Sequence, residues 1–148
     1  MNTQHRILAY ATVATGLAFA VDKPVKLSDL PPAVQKAIQE QTNGAVIKGF
    51  STEIEKGKTF YEAETRLNGH SRDLLFDKTG TLVEMEEETA LDAIPASAKS
   101  AIQKKAAGGK VLKVETVTRG SRVSYEAEIE KDGEKSEFAV KADGTVTK

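Results

Sequence analysis

Four residues that occur twice constrain this chain most: Tyr61-Glu62-Ala63-Glu64 returns as Tyr125-Glu126-Ala127-Glu128, 64 positions later. The same offset carries Pro31 onto Pro95, Ala37-Ile38-Gln39 onto Ala101-Ile102-Gln103, Gly69 onto Gly133 and Gly80-Thr81 onto Gly144-Thr145. A long period present only twice describes two copies of one small module rather than an open-ended solenoid. A module of this size alone buries only about 60 % of its unfolded surface, so two modules sharing one sheet gain burial that neither has separately. One cooperative unit is therefore expected.

The first twenty residues belong to another layer of information. A polar start through Arg6, an apolar run from Ile7 to Leu17 and the small residues Ala18-Phe19-Ala20 form the three parts of a secretory leader, with cleavage expected after Ala20. The run is short for a membrane span and contains Thr12, Thr15 and Gly16, so no stable membrane insertion is expected once the leader is removed. A periplasmic or secreted protein follows. The chain has no cysteine, which removes lipid anchoring through a cysteine, a disulfide framework and thiolate chemistry. Without Arg6, 20 basic side chains remain against 22 acidic ones, a balance that offers no footprint for nucleic acid.

Each module reads as one helix followed by four antiparallel strands. Residues 21–28 form an extended, mobile tether; repeat 1 occupies 29–90 and repeat 2 occupies 91–148. In the first, Asp29-Leu30-Pro31-Pro32 opens a helix with an acid near its cap and proline in the first turn, and Val34, Ala37 and Ile38 recur at helical spacing to about Thr42. After Asn43-Gly44 the period becomes two, giving strands over 46–54, 59–67, 71–76 and 81–88 with turns at Lys56-Gly57, Asn68-Gly69 and Thr79-Gly80. The second module repeats the order: a helix opening at Ile94-Pro95 with Ala98, Ala101 and Ile102 inward, closed by Gly108-Gly109, then strands over 111–118, 123–130, 135–140 and 145–148. The expected fold class is α+β: one antiparallel sheet with both helices on one face.

Alternation sorts the side chains. Tyr61, Ala63, Tyr125, Ala127 and Ile129 share the face that the helices should cover, and the tyrosines are expected in the core. The other face collects Phe60, Glu62, Glu64, Arg66, Glu126, Glu128 and Glu130, the candidate partner-binding residues. A solvated face made soluble by charge would show the same composition. Glu84, Glu86, Glu87 and Glu88, close to Glu62 and Glu64 in this pairing, could gather oxygens for a hard cation, although no calcium-loop spacing is present. Charge that blunts an edge strand is the favoured explanation of the run, and no metal or cofactor is expected. His70, the single histidine after the leader, falls in a hairpin with Ser71 and Asp73, and three neighbours in one turn do not converge as nucleophile, base and orienting acid. No catalytic residue is expected.

The helix openings Leu30-Pro31-Pro32-Ala33-Val34 and Ile94-Pro95-Ala96-Ser97-Ala98, the two Tyr-Glu-Ala-Glu strands, and the turns Phe76-Asp77-Lys78-Thr79-Gly80 and Val140-Lys141-Ala142-Asp143-Gly144 resemble those of the PepSY-like family. The resemblance covers nearly all of the chain after the leader. It implies a beta-lactamase-inhibitor-like fold with tandem units forming an eight-stranded sheet, its helices on the convex side, and a small periplasmic or secreted protein. An inhibitory or protein-binding role toward an envelope or secreted protein is what the resemblance suggests, with a monomer as the working form. The alternative is a small-ligand or divalent-cation binder using the acidic face.

Overall fold

The computed structural model describes residues 23–147, and the leader lies outside them. The chain forms β1 (Lys23–Pro24), a 3-10 turn (Leu27–Asp29), α1 (Pro32–Gln41), β2 (Val46–Glu55), β3 (Lys58–Leu67), β4 (His70–Phe76) and β5 (Leu82–Glu88). A second 3-10 turn (Leu91–Ala93) leads to α2 (Ala96–Lys105), β6 (Lys110–Arg119), β7 (Arg122–Lys131), β8 (Glu134–Lys141) and β9 (Val146–Thr147). All nine strands lie in one antiparallel sheet in the order of the chain. The two repeats meet at the β5–β6 pair, where Met85, Glu86, Glu87 and Glu88 lie opposite Thr118, Val117, Thr116 and Glu115.

Both helices cover the same face, each over its own module. Leu30, Val34 and Ile38 close over Ala63, Leu74 and Phe76. Ile94, Ala98 and Ile102 close over Val114, Ala127, Ile129, Phe138 and Val140. The repeat offset relates these clusters almost side chain by side chain, because each module solves the same packing problem. Bulk is redistributed between them: Leu74 and Phe76 in the first become Phe138 and Val140 in the second. Tyr61 and Tyr125 flank the two clusters, as their alternation requires. A β-bulge near the start of the first strand is duplicated too, between Ile47 and Gly49 and between Val111 and Lys113.

The turn before each module's last strand leans on the first turn of its helix. At Gly80, with φ +81°, a Cβ would lie 2.5 Å from the carbonyl oxygen of Ala33. Gly57 has a similar φ of +77° but opens onto nothing within 4 Å. Left-handed backbone costs an L-residue roughly 1–2 kcal/mol, so Gly57→Ala is expected to lose about that much. Gly80→Ala adds a backbone clash, and its loss in urea denaturation is expected to be larger. Equal losses at the two sites would show that the turn does not bear on α1.

The structure departs from the sequence expectation in three places. The stretch expected as a mobile tether is extended, but it pairs with β2, Lys23 opposite Thr52 and Pro24 opposite Ser51, giving nine strands rather than eight. Asp29 does not cap α1: its carboxylate accepts from the backbone N–H of Lys26 at 3.2 Å and closes the 3-10 turn, while Pro31 occupies the helix N-cap. The acidic strand β5 is not an edge. It is hydrogen-bonded on both sides, to β4 and β6, so edge protection cannot explain its glutamates.

Candidate functional site, the open face of the sheet

The face opposite the helices carries side chains at alternate positions of every strand, and its centre falls at the junction of the repeats. Glu86 on β5 lies opposite Asp73 on β4 and Val117 on β6. Glu115 on β6 lies opposite Glu88 on one side and Glu126 on the other. Carboxylate oxygens of Asp73, Glu86 and Glu115 come within 4.8 Å of one another. Like charges facing each other across a sheet repel, and removal from water raises the cost of ionising them.

The acid–base behaviour of the cluster follows. Burial pushes Glu86 up to about 10, reinforced by a hydrogen bond with Glu84 and by the charges of Glu126, Glu84 and Glu115. Burial, a hydrogen bond with Glu126 and the charges of Glu126 and Glu115 raise Glu137 to about 8, against the pull of Lys113. Asp73 rises to about 6 by burial, restrained by the Thr65 N–H and Lys113. The centre of this face thus holds protons at neutral pH, unlike an ordinary solvated carboxylate surface.

Several basic side chains on the face are already engaged. Lys113 Nζ lies 2.5 Å from Glu115 Oε1, and Lys135 Nζ lies 2.8 Å from Glu128 Oε1. Arg119 grips Glu84 with two nitrogens, Nη2 donating at 2.8 Å to Oε1. Arg66 Nη1 donates to the Gly69 carbonyl at 3.0 Å. Beside the seam, Glu53, Glu62, Asp73, Leu75, Glu84 and Glu86 line a shallow depression of about 50 Å³, too small for an organic ligand.

The structure sorts the candidates named above. Glu62, Glu64, Glu126 and Glu128 do lie with the central carboxylates. Phe60 sits near the β2–β3 turn opposite Glu53, and Arg66 and Glu130 lie toward other strand ends, opposite Ser71 and Lys135, so these three are peripheral. Glu84, Glu86 and Glu88 share the open face. Glu87 points the other way and pairs with Arg72 at 3.2 Å. At one ligand atom from each, the three clustered carboxylates supply fewer oxygens than the six or more calcium takes. His70 is exposed, 3.7 Å from Glu88, and the period of two puts it and Asp73 on opposite faces.

Glu115 and Glu137 were missed by the sequence reading. Glu115 is 4 % exposed. The signal for it was the repeat offset: position 115 corresponds to Ser51, whose hydroxyl donates to Glu62 at 2.7 Å. A satisfied Ser–Glu pair in the first module is a Glu–Glu confrontation in the second.

No protein-family model matches the sequence, and no curated protein sequence matches it. Solved structures do. A Bacteroides eggerthii protein provisionally assigned to the periplasm is 21 % identical, with 80 % of this chain and 86 % of that one covered at a TM-score of 0.67. A DUF2874 family protein from Bacteroides uniformis is 20 % identical over 80 % and 86 % of the two chains, TM-score 0.64. A BLIP-like protein from Bacteroides fragilis is 18 % identical over 80 % and 84 %, TM-score 0.58. What they share with this chain is the fold. The α+β architecture is thus a BLIP-like, DUF2874-like one, and among the described residues no helix is long and apolar enough to cross a membrane.

Proposed function

We propose that this is a non-enzymatic binding protein of the cell envelope or its exterior, and that the open face of the sheet docks a partner protein through a basic segment. The observation that carries this reading is the carboxylate cluster of Asp73, Glu84, Glu86, Glu115, Glu126 and Glu137 at the middle of the uncovered face. A partner's lysine or arginine groups would relieve the repulsion there, and complementary charge gives such a surface both its preference and its association rate. The leader sequence supports an extracytoplasmic location. The repeated helix openings and Tyr-Glu-Ala-Glu strands favour placement among PepSY-like proteins, and the BLIP-like fold favours modulation of an enzyme as the outcome of docking.

The test uses a decalysine peptide against the chain from Val21, with a glycine–serine peptide of equal length as control. Binding is expected to be specific for decalysine, to weaken as salt rises, and to fall at least tenfold in Glu62→Gln with Glu126→Gln, a variant that keeps the strand backbone. Equal binding of both peptides, or none, would sink the reading. A melting temperature that rises in millimolar calcium, and loses that gain in Glu84→Gln with Glu86→Gln, would favour the cation alternative instead.

A further inference from the structure

We propose that copies of this chain join head to tail, the β8–β9 edge of one against the β1–β2 edge of the next, in the way that β5 and β6 join the two repeats within the chain. The sheet edges carry this inference, so it stands apart from the docking reading above, and it replaces the single-copy working form that the resemblance suggests.

The repeat offset exposes the relation. Shifted by 64 positions, the pairs Lys23–Thr52 and Pro24–Ser51 become Glu87–Thr116 and Glu88–Glu115, two rungs of the β5–β6 ladder. The contact that follows is repeated too: the Val25 N–H donates to the Phe50 carbonyl at 3.0 Å, and that of Thr89 to the Val114 carbonyl at 2.9 Å. β1 is therefore the counterpart of the end of β5. β9 is the counterpart of its beginning, because Val146 lies opposite Val140 as Leu82 lies opposite Phe76. One strand, continuous at the seam, is divided between the two outer edges of the molecule.

Each edge lacks what the other holds. On β8, Ser136, Glu137 and Phe138 correspond to Arg72, Asp73 and Leu74, which pair with β5, but among the described residues no strand lies along their outer side. β1 in turn has only β2 for a neighbour, and unpaired edges of this kind recruit further strands. Setting the β1 of a second copy beside β8, in line with β9, rebuilds the divided strand by applying the relation between the modules once more. Pro24 fits this arrangement. It has no N–H to donate, and it takes the place of Glu88, which pairs with β6 but lies beyond the β4 ladder. The junction sets Lys23 opposite Ser136 and diagonal to Glu134, where opposite charges attract. At the seam the first two positions hold the Glu87–Arg72 ion pair, 3.2 Å apart. Ile54 on β2 and Val146 on β9, 48 % and 43 % exposed, leave apolar surface at both edges.

A contact between two different edges leaves one of each free at the ends of a pair, so assembly continues past two copies. Sedimentation equilibrium of the chain from Val21 tests this. The average mass should rise between about 10 and about 500 µM and pass that of two copies, as mass action requires of an open assembly. Lys23→Glu, which brings a carboxylate to Glu134, and Ser136→Arg, which brings a cation to Lys23, should each lower the association constant at least threefold. Both positions are exposed, so the variants keep the fold. Combined, they install the seam's Glu–Arg pair across the junction, and association should return to the wild-type strength or above. A mass that stays at one copy throughout, growth that stops at two, single variants that associate like the wild type, or a double variant no stronger than the singles would each overturn the inference.

Discussion

Glu86→Gln is expected to stabilise the protein in alkali and leave it nearly unchanged in acid. The folded state holds the Glu86 proton far more tightly than the unfolded chain does, with positions of about 10 and 4.5. Where the native state binds the extra proton, stability falls as pH rises. This contribution is present in full below about 4.5, then drains away as pH climbs toward 10. Glutamine fills the same space and never ionises, so it removes the slope. After allowance for relaxation and water entry, a gain on the order of 1–3 kcal/mol is expected at pH 8.5, a rise in melting temperature of roughly 5 °C. At pH 4 the two proteins should melt together. An equal shift at both pH values would mean that the substitution acts through packing and that the native carboxylate is not strained by its neighbours.

Phe76→Ala should have the largest effect of any single change in the first module. The ring is fully buried in the cluster of Leu30, Val34, Ile38, Ala63 and Leu74, the largest of the first module's fully buried side chains. Phe-to-Ala truncations in cores cost about 3–5 kcal/mol, transfer and cavity together. In urea the midpoint should therefore fall by about 2 M if the slope lies near 2 kcal/mol per molar. Its repeat counterpart is Val140, a smaller side chain in a separate cluster, and Val140→Ala should cost less. Because the clusters do not share residues, the two losses should add within about 0.5 kcal/mol. A double variant that melts in two steps would show that the β5–β6 pair does not make the modules one cooperative unit.

The fold was legible because it is written twice. Helical spacing in Val34, Ala37 and Ile38 and alternation through Tyr61, Ala63 and Thr65 are local signals, and the second module repeats them with other residues of similar character. Positions such as Leu74–Phe76 and Phe138–Val140 trade bulk without changing their periodicity. The α+β class, the two helix-plus-strands modules and the side on which the helices pack all follow from those periods.

Local periods are silent about what lies beside a strand, and there long-range pairing takes over. Lys23–Pro24 reads as a tether because two residues carry no period, yet the edge of β2 accepts them as a ninth strand. The glutamates of β5 read as edge protection because strand order cannot be inferred from alternation, yet β6 lies alongside. Glu115 carries no local signal of its own, and pairing places it against Glu126 and within reach of Glu86 and Asp73. Repulsion between carboxylates depends on distance and on exclusion of water, and both are properties of neighbours far apart in the chain. Periodicity alone was enough to define the two modules and their inner and outer faces; the joining of the modules into one sheet turned scattered acidic residues into a single proton-holding centre.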